Sequence, residues 1–120
     1  MSQQQTGVRS VVRGRITVAP ELSRTTEGVA VCRFTVVTDA GPASRPLMKA
    51  IYVKGDPTLE PSEDLPVRVK ANLGLGDLVR VPGMELQRLR RRRGVEYIET
   101  AIQADDVALK ERAAERAGAR

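Results

Sequence analysis

The chain has 120 residues, 41% of them hydrophobic, with a formal net charge of +5. That length fits one domain, and that apolar share supports a core, so wholesale disorder is not expected. With no histidine and one cysteine, the chain offers no His-based triad, no imidazole base, no internal disulfide and no Cys-cluster zinc site. No catalytic residue, metal, cofactor or small-molecule substrate is therefore expected. No uninterrupted apolar run is longer than Val29–Cys32, far short of the roughly 20 residues of a membrane span. Met1–Gly7 is rich in Ser and Gln and lacks the apolar stretch of a secretory signal, so the expected location is the cytoplasm.

In chain order, residues 1–7 read as a disordered leader. Val8–Ala19 reads as a first strand, rich in β-branched residues, with Gly14 marking a bulge or bend and Pro20 ending it. A turn-rich connection, Glu21–Gly28, leads to a second strand, Val29–Asp39. A loop over Ala40–Arg45 precedes a third strand, Pro46–Gly55. There, alternation sets Ile51 and Val53 on one face and Met48, Ala50, Tyr52 and Lys54 on the other. Asp56–Pro66 holds three prolines and four acids, and no base. A short helix then fits, with Asp64 as N-cap, Leu65, Val69 and Leu73 on one face, and an end at Gly74 or Gly76. Val67–Lys70 also alternates like a strand, which leaves that element open.

The fourth strand is expected over Leu78–Leu89, interrupted at Pro82-Gly83, where a proline implies an edge or a bulge. The arginine run and Gly94 are expected to form a hairpin loop, followed by a fifth strand over Val95–Leu109. Lys110–Arg120 reads as a fraying helix or mobile tail. Five strands with a helix between the third and fourth predict an all-β chain, a Greek-key barrel of the OB type. The domain spans 8–109, and its expected core is Val12, Ile16, Val31, Phe34, Val36, Ile51, Val53, Val79, Val81, Ile98 and Ile102. Cys32 is expected as a small buried hydrophobe.

The basicity is local. Arg88, Arg90, Arg91, Arg92 and Arg93 fall within six residues, and without them the chain is formally neutral. Such a cluster suits phosphate contact, or is a solvated arginine-rich loop. Arg13, Arg15 and Arg33 either line a groove or are solvated strand charges. Tyr52, opposite the core face, either stacks on a base or is a surface tyrosine. Tyr97, beside the arginine loop, is a weaker candidate of the same kind.

Several stretches resemble the bacterial single-stranded DNA-binding protein family. They are Gly14-Arg15-Ile16-Thr17, Pro20-Glu21-Leu22, Thr25, Gly28, Val31 and Arg33-Phe34-Thr35, then Ile51–Gly55, Leu73–Gly83 and Ala104–Val107. The resemblance covers roughly residues 8–109 and implies an OB-fold that binds single-stranded DNA in replication, recombination or repair, as a homo-oligomer (dimer or tetramer). The sequence departs from that pattern at the stacking positions. Met48 and Lys54 stand where the third strand of the family carries aromatics, arginines fill the hairpin, and an acidic C-terminal tip is missing. Arginine can stack on bases as well as bind phosphate, so the substitutions move the expected binding toward phosphate contacts and salt sensitivity. Two other readings stand beside this one: an OB-fold adaptor that binds protein with little or no nucleic acid, and an RNA binder, since phosphate contacts separate RNA from DNA poorly.

Overall fold

The computed structural model describes residues 7–38 and 47–113. Most of the expected leader, the loop over Ala40–Arg45 and most of the expected tail lie outside them. Among the described residues the protein is mostly β: β1 (Val8–Arg24), β2 (Ala30–Thr38), β3 (Met48–Lys54), β4 (Leu78–Arg92), β5 (Val95–Ala104) and β6 (Ala108–Glu111), with one helix, α1 (Leu65–Asn72). The sheet order β1-β2-β3-β5-β4 is closed by a β1–β4 pairing, giving a barrel-like ring of five strands, and β6 adds to β4. All of these pairings are antiparallel except β3–β5, which is parallel.

β1 serves two neighbours because it bends. Its first half pairs with β4 and its second with β2, and Gly14 belongs to both registers, opposite Val79 and Thr38. A Cβ at Gly14 would fall 2.2 Å from the Val37 carbonyl oxygen, so only glycine fits this close backbone crossing. The strand does not stop at Pro20. It continues to Arg24 through register shifts between Ile16 and Glu21, which place the proline at an irregularity.

Pro82 does not interrupt β4 and is not at a sheet edge: it pairs with Val11 of β1. Its carbonyl accepts a hydrogen bond from Asp105 N at 2.8 Å. The N and O of a strand residue point to the same side, so the missing N–H faces the corner between β5 and β6, where no ladder bond is lost. The expected fifth strand is likewise divided at this corner, into β5 and β6.

The helix forms where expected, with Pro66 in its first turn, and ends at Asn72, before both glycines. Asp64 precedes it, but its side chain makes no cap. Its Oδ1 instead accepts from Asp56 N at 2.8 Å, holding the β3–α1 connection closed. Val69 is buried, and Leu65 and Leu73 pack against the same cluster.

The core is Val12, Ile16, Cys32, Phe34, Val36, Ile51, Val53, Val69, Val79, Val81 and Ile102. Two expected members are not in it. Val31 is half-buried, because β2 turns Cys32, Phe34 and Val36 inward and Val31 is out of phase with them. Ile98 is 64% exposed. It shares the face of Ile102, but the barrel ends below it and no described residue covers it. Cys32 is fully buried, and burial pushes its thiol up to about 11, with Lys70 opposing the shift.

Candidate nucleic-acid interface

The outward face of β2 and β3 is built by alternation. With Phe34, Ile51 and Val53 inside, Arg33, Thr35, Ala50, Tyr52 and Lys54 stand outside. The register sets Arg33 opposite Tyr52, Val31 opposite Lys54 and Val37 opposite Met48. Lys54 is exposed, and Met48 is 66% exposed. A shallow groove of about 590 Å³ lies on one side of this face, lined by Glu21, Leu22, Arg33, Tyr52 and Lys70 among others. A second, of about 580 Å³, lies between the start of β3 and β5, with Thr35, Met48, Ala50, Tyr97 and Glu99 in its wall.

The arginine run is not a loop. β4 continues to Arg92 and β5 begins at Val95, so the turn is two residues, Arg93-Gly94. Their φ values are 54° and 79°. Positive φ at both central residues is the type I′ geometry, whose twist matches that of a two-stranded ribbon. The ladder sets Arg90 opposite Tyr97, Arg91 opposite Glu96 and Arg92 opposite Val95. Arg88 also lies in this ladder, opposite Glu99.

Arg90 joins ribbon to barrel. Its Nε donates to Glu99 at 3.0 Å and its Nη2 to the Tyr52 hydroxyl at 3.3 Å. The Glu99 bond first, then the Tyr52 bond, raise the pKa of Arg90 further, and the guanidinium is held charged beside the β3 face. Arg91 pairs with Glu96 at 2.8 Å. Arg92 and Arg93 are exposed and make no ion pair among the described residues.

The candidates therefore fall into separate groups. Arg33, Met48, Tyr52, Lys54, Arg90 and Tyr97 share the connected surface of β2, β3 and the ribbon, with Arg91, Arg92 and Arg93 farther out along it. Arg13 lies elsewhere, exposed and opposite Arg80 in the β1–β4 pairing. Arg15 is engaged by the fold: it donates to the Gly76 carbonyl at 3.0 Å and pairs with Glu111, fastening β6 to the barrel. Arg33 faces Glu21 across the ladder, 3.8 Å away, rather than Arg13 or Arg15.

Two basic residues come into view only in three dimensions. Lys70 lies beside Arg33 and Tyr52 in the first groove, though it is on α1, and its Nζ donates to the Pro20 carbonyl at 3.1 Å. Arg80 is exposed next to Arg13. The acids Glu21, Glu96 and Glu99 also belong to the surface, since they offset three of its arginines. Sequence spacing carries no signal for these pairings, which depend on strand register. Among the described residues no group of three or more His, Cys, Asp or Glu side chains could hold a metal ion. No helix among them is long and apolar enough to cross a membrane. No protein-family model matches the chain, and no curated protein matches it.

Proposed function

We propose that the barrel is an OB-fold and that it binds single-stranded DNA, largely without sequence preference, through the β2–β3 face and the arginine ribbon. The observation that carries this reading is the coincidence of two features. The ring order β1-β2-β3-β5-β4, with the helix between β3 and β4, fits the five-stranded Greek-key barrel of that fold. OB-folds bind oligonucleotides on the face of the second and third strands, between the loops joining strands one to two and four to five. Here that face carries Arg33, Tyr52, Lys54 and Met48, and the second of those connections carries the arginines.

Tyr52 offers one stacking surface, and the cations supply phosphate contacts. The reading includes a binder without chemistry of its own, acting in the cytoplasm as a homo-oligomer in replication, recombination or repair. A protein-binding adaptor is the second reading. It is favoured by the Arg90–Glu99 and Arg91–Glu96 pairs, which neutralise part of the ribbon from within.

A fluorescence-anisotropy titration with labelled single-stranded DNA, duplex DNA and RNA, at several salt concentrations, tests this. With about four to six phosphate contacts, log K against log[salt] for single-stranded DNA falls with a slope of roughly −3 to −4. A slope near −1 rejects the phosphate-dominated account. Replacing Arg90 to Arg93 together with Ser separates the two readings. Binding lost with the oligomer intact supports nucleic acid as the occupant. An oligomer that dissociates while binding persists makes the ribbon an assembly contact, as the adaptor reading has it, and removes it from the DNA site.

A further inference from the structure

We infer that the ribbon is a duplex-groove element, so that the protein prefers junctions between single- and double-stranded nucleic acid over free single strands. This rests on the single-strand reading and gives the ribbon, already a charge contact for the strand, a second occupant.

The ribbon is exposed on both faces. On one, Leu89 and Ile98 form a cross-strand pair 69% and 64% exposed. On the other, Val95 and Tyr97 are 64% and 43% exposed, beside Arg90 and Arg92. A single strand lying on the barrel face reaches the second of these and, through the groove of Met48, Ala50 and Tyr97, the edge of Ile98, but not Leu89. An occupant that covers both faces and still matches the charge must be concave and anionic. Residues 88 to 99 hold five arginines and two glutamates, a net formal charge of +3. A duplex groove meets both demands.

The dimensions agree. Two strands about 4.8 Å apart, with side chains, fit a major groove about 12 Å wide. The five residues from Arg88 to Arg92 reach about 17 Å at about 3.4 Å per residue, near half a helical turn of DNA. Beyond the barrel β4 and β5 pair, among the described residues, only with each other, so each leaves an outer edge whose backbone N–H groups can meet phosphate oxygens. The turn points the same way. Arg93 holds φ at 54°, a conformation in which Asn or Gly is favoured, so a cation stands at the tip against local preference.

The test compares three labelled probes: a single strand, a blunt duplex, and a duplex carrying that strand as an overhang, in both polarities. The expected result is an overhang duplex bound about ten-fold more tightly than the free strand, because two linked contacts raise effective concentration. Its salt slope is steeper by about 2 to 3, from the added duplex phosphates. Leu89→Asp, on the ribbon face turned away from Arg90 and Arg92, removes the ten-fold advantage and, by its added charge, lowers free-strand affinity by a much smaller factor. Arg93→Asn suits the type I′ turn, so the ribbon stays formed; the lost tip charge reduces the advantage and lowers free-strand affinity by a smaller factor.

Equal affinity for the overhang duplex and the free strand overturns the inference and leaves the single-strand reading standing. Absence of binding to the free strand overturns that reading and the inference with it. If Leu89→Asp dissociates an oligomer, seen by light scattering, while the junction preference persists, the apolar pair serves a second copy of the chain and the inference fails.

Discussion

β4 and β5 each run through two different environments. Near the barrel, Val79, Val81 and Ile102 are fully buried; a few residues away, Leu89 and Ile98 are mostly in water. The covalent pattern hardly changes along these strands, since apolar residues still alternate with polar ones. What changes is whether another layer lies opposite. In the barrel, β2 and β3 supply Phe34, Val36, Ile51 and Val53 to complete the core. In the ribbon no described residue does, and the β4–β5 ladder, cross-strand ion pairs and one tight turn hold the two strands together. Burial contributes most of the stability of the first region, whereas the second contributes little and is available for contact.

The largest expected effect that separates the two is Phe34→Ala. Truncating the fully buried ring should cost about 3–5 kcal/mol, read as a lower urea midpoint, while Leu89→Ala should stay within about 0.5 kcal/mol. Comparable losses at both sites would mean that the ribbon is packed against something in solution.

Next comes alkaline stability. The Cys32 thiol is raised to about 11 by burial, so the folded state holds its proton more tightly than the unfolded chain does. The thiol term is fully present below the unfolded value near 9 and is lost as pH rises through about 11. Between those values wild type should lose about 2–3 kcal/mol more than Cys32→Ala, at 1.36 kcal/mol per unit. Equal alkaline losses in the two proteins would show that Cys32 is accessible in the native state.

Smaller effects sharpen the contrast from the ribbon side. Gly94→Ala forces a side chain onto a φ of 79° and should cost about 1 kcal/mol, felt locally rather than in the barrel. Amide hydrogen exchange should then quicken over Val95–Glu99 with little change at Ile51–Val53. Replacing Arg90 to Arg93 with Ser should shift global stability least, within about 0.5–1 kcal/mol, because exposed ion pairs contribute little.

Much of the barrel was legible in the sequence. Alternation placed Ile51 and Val53 inside with Tyr52 and Lys54 outside, and the spacing of Leu65, Val69 and Leu73 marked the helix. Three of the errors share one cause, while Val31 was simply out of phase with Phe34 and Val36. Ile98 follows Ile102 in phase, and a single strand gives no sign of where its cover ends. Pro82 reads as an interruption because the direction of its missing N–H depends on the neighbouring strands. Asp64 reads as a helix cap because Asp56 N, which its carboxylate accepts from instead, belongs to the chain folded back upon it.

By itself, the sequence determined the mostly β character, most of the core and the clustering of positive charge, and it offered the short helix against a strand. These are local properties, set by side-chain chemistry and by the two-residue period of a strand. Tertiary structure alone decided that Arg15 fastens β6 through Glu111, that Arg33 meets Glu21, and that Arg90 bridges Glu99 and Tyr52. It also made the arginine run a paired ribbon. Those outcomes depend on register between strands distant in the chain, and register is fixed only when several faces bury their apolar residues together.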